Sequence, residues 1–284
     1  MAICDATTKN VIAQLQHVRR GNGPIDLRYF PDFLIVGPQR TGTTWLSANL
    51  RLHPQIFIPA VKELHFFSKL NQPDARYYSS SDLDWYLRCF RETPGDFTKK
   101  TIASLIRFRE LYHPRVRGEA TASYAVLERG IIQDIVTLNP EIKVLFFIRN
   151  PVDRAWSHAK KGLLVNRTLD EVPDSAFEEF FQQPFVRKCA KFTENIDRWS
   201  EMVPPGHVHV GLFDEIRLTP SKVLFDVFKF LGVKAARKYV PETVTETANP
   251  SEQVDIPERH KRFLTQLLQP ELRSLEQRYG LHWP

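Results

Sequence analysis

One stretch constrains the architecture more than any other. Phe33-Leu34-Ile35-Val36 is a continuous apolar run, the pattern of a strand buried on both faces of a parallel sheet. It passes directly into Gly37-Pro38-Gln39-Arg40-Thr41-Gly42-Thr43-Thr44, and a helical stretch follows from about Trp45 to Leu52. A strand, a glycine-bounded turn and a helix start together make an anion site, because the N–H groups of the turn and of the first helical turn point at the ligand. Gly37 and Gly42 supply dihedrals unfavourable to other residues and let a phosphate approach the backbone.

The remaining periodicity fits the same plan. Lys143 to Ile148 (KVLFFI) reads as a second buried strand, followed by Asn150-Pro151 and a helix starting near Val152, where proline suits the first turn. His207 to Phe213 reads as a third strand, and Ser221 to Leu231 and Pro257 to Tyr279 as helices. Val11, Ile12, Leu15 and Val18 mark a short amphipathic helix over residues 11 to 18, ended by Gly21-Asn22-Gly23-Pro24. Strands alternating with helices predict a single α/β domain: a doubly wound parallel sheet with a P-loop-like strand–loop–helix and ligands at the carboxyl ends of its strands. The whole chain, 1–284, is expected to form this domain, with residues 1–30 an N-terminal extension and 33–283 the core. At 42% hydrophobic residues such a chain buries a sufficient core without disulfides.

The loop departs from that of nucleoside triphosphatases. The Gly37–Gly42 spacing fits, but Thr43 stands where a lysine should contact the terminal phosphates, and the cation lies inside the loop at Arg40. The second strand runs into Arg149 rather than an acid that would hold Mg²⁺. Cations at these places suit a ligand that brings its own negative charge without a metal, and a net charge of +6 agrees. No long basic run or aromatic RNA motif points to nucleic acid. Cys4, Cys89 and Cys189 lack metal-type spacing, and His207 and His209 lack a third ligand, so no metal is expected. Asp5 and Lys9 interrupt the N-terminal run against a secretory leader, no apolar stretch has the length of a transmembrane segment, and an odd cysteine count suits a reducing, cytoplasmic setting.

Two motifs carry a family resemblance. Gly37 to Trp45 resembles the 5′-phosphosulfate loop of sulfotransferases that use 3′-phosphoadenosine 5′-phosphosulfate (PAPS). Arg149-Asn150-Pro151-Val152-Asp153-Arg154-Ala155-Trp156-Ser157 resembles that family's 3′-phosphate motif. Lys62-Glu63-Leu64-His65-Phe66-Phe67 is similar to the acceptor-side segment of the heparan-sulfate and related bacterial branch, and the stretch from Asn249-Pro250-Ser251 to Trp283 to the close of bacterial members. The resemblance implies that Arg40, Thr41, Gly42, Thr43 and Thr44 hold the 5′-phosphosulfate, with Arg40 stabilising the departing oxygen, and that Arg149 and Ser157 hold the 3′-phosphate. Trp45 stacks on adenine under the resemblance, or opens its helix from the core. Glu63 is the expected general base with His65 the runner-up: if the segment is extended, residues two apart share a face and one cleft. The alternative for Glu63 is a plain pair with a neighbouring Lys or Arg.

Some features depart from the family or stay open. Arg40 replaces a lysine common among relatives, and Ala120 in Glu119-Ala120-Thr121-Ala122-Ser123-Tyr124 replaces a lysine of the heparan-sulfate branch, against a heparan-type acceptor. Arg259, His260, Lys261 and Arg262 either close over the 3′-phosphate or form a solvated helix face, and His158, Lys160 and Lys161 either help an anionic nucleotide or acceptor or form a solvated charged face. Phe66, Phe67, Tyr77, Tyr78, Trp85, Tyr86 and Tyr124 line an acceptor pocket or belong to the core. The expected reaction moves a sulfuryl group from PAPS to a hydroxyl or amine of a saccharide, lipid or small natural product. The rivals are a P-loop nucleotide kinase and a non-catalytic nucleotide-binding protein.

Overall fold

The computed structural model describes residues 6–70, 82–245 and 254–283. Tyr77, Tyr78, Cys4 and the Asn249-Pro250-Ser251 motif lie outside them. Five parallel strands, β1 (Phe33–Gly37), β2 (Ile56–Phe57), β3 (Val116–Ala120), β4 (Lys143–Ile148) and β5 (Val208–Leu212), form one sheet in the order β2-β3-β1-β4-β5. The chain leaves β1 toward the β2 edge and leaves β4 toward the β5 edge. The topological switch point therefore lies between the adjacent strands β1 and β4, where open α/β sheets place their ligands.

The three strands expected, two from apolar runs and one over His207 to Phe213, are present, and two were missed. β2 is only two residues long, and β3 reads Val-Arg-Gly-Glu-Ala, which carries no apolar run although its last three residues are buried. Between strands, α1 (Ala6–Ala13) precedes β1 and α2 (Thr43–Leu50) follows it. Next come α3 (Leu83–Arg88) and α4 (Pro94–Phe108), then α5 (Arg129–Leu138) between β3 and β4. Four helices, α6 (Pro151–Leu163), α7 (Asp174–Gln182), α8 (Pro184–Ala190) and α9 (Phe192–Ser200), lead to β5. α10 (Phe213–Leu218), α11 (Pro220–Leu231) and α12 (Glu258–Tyr279) complete the described chain.

The first helix ends earlier than the expected 11–18. The Asp134 carboxylate accepts from the backbone N–H of Gln16, His17 and Val18 at 2.9, 2.7 and 2.9 Å, drawing these groups away from helical partners. That buried carboxylate on α5 docks the segment before β1 onto the core. At α6 the Asn150 side chain accepts from Val152 N at 2.9 Å, with Pro151 in the first turn, a strong start signal that the sequence displays.

Side-chain alternation divides the sheet's residues between two faces. Leu34, Val36, Val144, Phe146 and Ile148 pack with Ile132 and Ile135 of α5 and Ile196 and Trp199 of α9. Phe33, Ile35, Leu145 and Phe147 pack with Leu46 and Leu50 of α2 and Leu224 and Phe228 of α11. A third apolar cluster joins α6, α7 and α12 through Trp156, Phe177, Phe181, Leu264 and Leu268. Of the aromatic residues expected at a pocket or in the core, Phe66, Phe67, Tyr86 and Tyr124 are core, and Phe66 stacks on Tyr86 at 4.4 Å. Among the described residues no helix is long and apolar enough to cross a membrane.

Candidate active site

The loop after β1 is held open by its own backbone. Gly37 lies at φ 95°, and a Cβ there would sit 2.6 Å from the Ala122 carbonyl oxygen. Gly42 caps α2 at φ 88°. Thr41, fully buried, donates its hydroxyl to the Pro38 carbonyl at 2.7 Å, closing the turn on itself. The Thr43 and Thr44 N–H groups open α2, where the first turn has no intrahelical acceptors. Anion-binding donors thus converge at the carboxyl end of β1.

The carboxyl end of β4 completes the arrangement. Arg40 Nε donates to Ser157 Oγ at 2.8 Å, across 117 residues of sequence. Arg149 Nη1 donates to the Arg40 carbonyl at 3.0 Å, and its guanidinium lies 4.4 Å from the Phe213 ring centroid. Neither arginine forms an ion pair among the described residues. Burial lowers the pKa of both; at Arg149 nearby Asp153 opposes the shift and Arg40 adds to it. Behind them Arg154 is fully buried, its Nη2 reaching the Val186 carbonyl at 3.5 Å while Nε and Nη1 have no partner among the described residues. Burial brings its pKa down to about 10. Part-buried Arg40 and Arg149 and fully buried Arg154, none of them ion-paired among the described residues, leave a positive field that Asp153 and Asp214 only partly offset at Arg149, and an anion is its natural complement.

A cavity of about 240 Å³ adjoins the loop. Arg40, Thr43 and Thr44 line one side, Lys62 and Glu63 another, and His158 and Lys161 of α6 a third. The structure therefore brings His158 and Lys161 to the cavity rather than leaving both on a remote solvated face. Burial, with Arg154, Arg40 and Lys161 adding to it, pushes the His158 pKa down to about 3, so its imidazole is neutral at ordinary pH.

The acceptor-side segment is not extended, which corrects the expectation for Glu63 and His65. Their φ angles are 61° and 56°. The cause is tethering: Glu63 N donates to the Ala120 carbonyl at 3.0 Å, Phe67 N donates to Tyr124 Oη at 3.1 Å, and His65 Nδ1 lies 3.2 Å from Ser123 Oγ. The two side chains meet all the same, His65 Nε2 standing 3.4 Å from Glu63 Oε2. Lys62 Nζ donates to Glu63 Oε1 at 2.6 Å, so Glu63 both pairs with a neighbouring lysine and faces the cavity. Burial lowers the His65 pKa against the opposing pull of Glu63. Of the five non-glycine residues with positive φ among the described residues, three are Arg40, Glu63 and His65, and backbone strain of this kind concentrates at functional sites.

Sequence reasoning missed Glu119. This carboxyl, 2% exposed at the end of β3, accepts from Tyr86 Oη at 2.5 Å and Thr121 Oγ1 at 2.9 Å. Burial outweighs those bonds and raises its pKa to about 7. Its only sequence signal is an acid set within a short strand. Three other expected participants, Trp45, Arg259 and His260, sit apart from the cavity lining. Trp45 packs in the cluster between α2 and α11 and donates Nε1 to the Val244 carbonyl at 2.9 Å. On α12, Arg259 pairs with Asp174 at 2.5 Å and Glu178 at 3.2 Å, and buried His260 stacks beside Trp156.

Residues 30–255 match the sulfotransferase domain. The chain belongs to the sulfotransferase family. This sulfotransferase is 26% identical over 222 residues to bifunctional heparan sulfate N-deacetylase/N-sulfotransferase 1 of Caenorhabditis briggsae, covering 72% of this chain and 23% of that protein. It is 28% identical over 228 residues to the Mus musculus protein of the same name, covering 74% and 23%. It thus spans about a quarter of the length of these relatives. A sulfotransferase from Alicyclobacillus acidocaldarius superposes with TM-score 0.61 at 24% identity, over 89% of this chain and 97% of that one. A mouse sulfotransferase solved in complex with PAP superposes with TM-score 0.51 at 15% identity, over 94% and 90%. These likenesses establish the fold of the sulfotransferase.

Proposed function

We propose that this sulfotransferase takes PAPS as donor, transfers its sulfuryl group to a hydroxyl or amine of a saccharide, lipid or small natural product, and releases 3′,5′-bisphosphoadenosine. The observation that carries the reading is the Arg40–Ser157 hydrogen bond with Arg149 on the Arg40 carbonyl. It links the loop after β1 to the helix after β4 at one switch point, around arginines that form no ion pair among the described residues. Two phosphate-type sites that close together fit a nucleotide with charge at both its 3′ and 5′ ends.

PAPS would supply a sulfur whose bond to the phosphate oxygen breaks as the acceptor's oxygen or nitrogen bonds to it. Arg40, the Thr41 to Thr44 amides and the hydroxyls of Thr43 and Thr44 hold the phosphosulfate end. Arg40 also stabilises the charge that grows on the departing oxygen, a preorganised electrostatic contribution. Arg149 and Ser157 hold the 3′-phosphate. Glu63 takes the acceptor proton, with Lys62 and His65 fixing its carboxylate from two sides. The kinase alternative asks for a lysine at Thr43 and an acid at Arg149, and the observed residues oppose both.

A thermal shift experiment tests the donor. 3′,5′-Bisphosphoadenosine in EDTA is expected to raise the melting temperature more than ATP with Mg²⁺ at the same concentration, since a ligand of the native state stabilises it by an amount that grows with the logarithm of its affinity. The opposite ranking overturns the reading.

A further inference from the structure

Ten large apolar side chains are exposed among the described residues, and five of them, Phe97, Ile102, Leu105, Ile106 and Leu111, fall on α4 or the turn after it. Among the described residues the helix is docked by one side only. Ser104 Oγ donates to the Glu110 carbonyl at 2.7 Å, and the Phe108 ring meets Tyr239 at 5.5 Å. Lys100 Nζ lies 4.2 Å from the centroid of the Phe57 ring on the edge strand β2. Ile102, Leu105 and Ile106, at helical spacing, form a ridge on the outer side, with Ile106 74% and Ile102 53% exposed. A contiguous apolar ridge of this kind marks a contact surface more often than scattered single residues do.

The charges around the ridge are unequal. Lys99, Arg107, Arg109 and Arg115 are exposed, and none forms an ion pair among the described residues. The nearby acids are engaged elsewhere. Glu92 binds Lys100 at 2.8 Å and Tyr112 Oη at 2.9 Å. Glu110 binds Lys234 at 3.2 Å, Lys238, and Tyr239 Oη at 2.8 Å. Asp96 accepts from Thr93 Oγ1 at the start of the helix.

We propose that the outer face of α4 is a docking surface for an anionic lipid bilayer, the aliphatic ridge entering the headgroup boundary and the flanking cations resting on lipid phosphates. Apolar insertion bordered by Lys and Arg is the chemistry of interfacial helices. A second copy fits less well. Two-fold pairing would set Lys99, Arg107 and Arg109 against the same residues of the other copy, like charge on like. The ridge is also small: a helix of this length is about 22 Å long and about 10 Å wide, on the order of 200 Å², against the ~800 Å² per partner of a stable protein interface. Shallow insertion needs no such area. The inference does not depend on the donor or on Glu63.

Vesicle flotation tests it with the full chain. Binding to phosphatidylcholine vesicles containing phosphatidylglycerol is expected to exceed binding to phosphatidylcholine alone by about fivefold per engaged cation, and to weaken in about 0.5 M salt. Ile102→Asp/Ile106→Asp should reduce binding by on the order of tenfold or more. Both side chains are exposed, so an unchanged thermal midpoint is expected to show that the fold persists. Lys99→Gln/Arg109→Gln, which keeps the ridge and leaves Arg107 and Arg115, should cut the preference for phosphatidylglycerol by about 25-fold. Failure of the wild-type chain to float with anionic vesicles overturns the proposal. So does flotation that neither double variant reduces, or a dimer in light scattering that Ile102→Asp/Ile106→Asp dissociates.

Discussion

Arg40 is held by three constraints at once: a left-handed φ of 71°, a side-chain bond to Ser157 and a carbonyl bonded by Arg149. Arg149→Ala should therefore loosen the loop as well as remove a charged phosphate contact. Calorimetric titration with 3′,5′-bisphosphoadenosine is expected to show affinity falling on the order of tenfold to a hundredfold, and less than tenfold for Ser157→Ala, whose contact is neutral. On the acceptor side, Glu63→Gln keeps shape and removes basicity. Turnover should fall by about a hundred- to ten-thousand-fold with little change in bisphosphoadenosine affinity, while His65→Asn does less. Normal turnover in Glu63→Gln with a dead His65→Asn moves the base to His65. The types and spacing of these residues were legible in the sequence. Their conformation was not, because the left-handed turn at Glu63 and His65 comes from tethers to Ala120, Tyr124 and Ser123, more than fifty residues along the chain.

Elements were legible where local pattern and tertiary environment agree. β1 and β4 declare themselves as apolar runs, β5 by valines alternating with histidine and glycine, and α6 by Asn150-Pro151. β3 hides because its buried glutamate belongs to a hydrogen-bond network that only the folded sheet assembles. The junction of β1 with its loop gives an element-scale prediction. Gly37→Ala combines a positive φ with a 2.6 Å approach to the Ala122 oxygen, whereas Gly206→Ala, at φ 82°, meets nothing within 4 Å. Urea unfolding should show about 1 kcal/mol lost in Gly206→Ala. Gly37→Ala should lose about 2–3 kcal/mol, together with bisphosphoadenosine binding, because the displaced loop no longer reaches Ser157.

At the scale of the whole molecule, buried titratable groups set opposing dependences on pH. Glu119 has a folded pKa raised from 4.5 to about 7, so its contribution is full below about 4.5 and is lost as pH rises through 7. The difference is on the order of 3 kcal/mol. His53, lowered from 6.5 to about 4 chiefly by burial, acts the other way: its contribution is present above about 6.5 and lost as pH falls through 4. The wild type is therefore expected to lose stability, relative to Glu119→Gln, between about pH 5 and pH 8 in urea unfolding, with the His53 slope common to both proteins. A parallel pair of curves would show that Glu119 does not titrate in this range.

The bond from Arg149 to the Arg40 carbonyl spans 109 residues, and the strands that bring its ends together are the central neighbours β1 and β4. At about 5–20 residues per second of synthesis, the loop after β1 exists for roughly five to twenty seconds before the strand that completes its surroundings has been made. Throughout that interval β1 lacks its β4 neighbour and the loop arginine lacks its serine. A nucleotide that needs both Arg40 and Ser157, as proposed above, finds no complete site on the early nascent chain; it would recognise only a sheet already closed across its centre, and occupancy of the site would then be a readout of finished assembly.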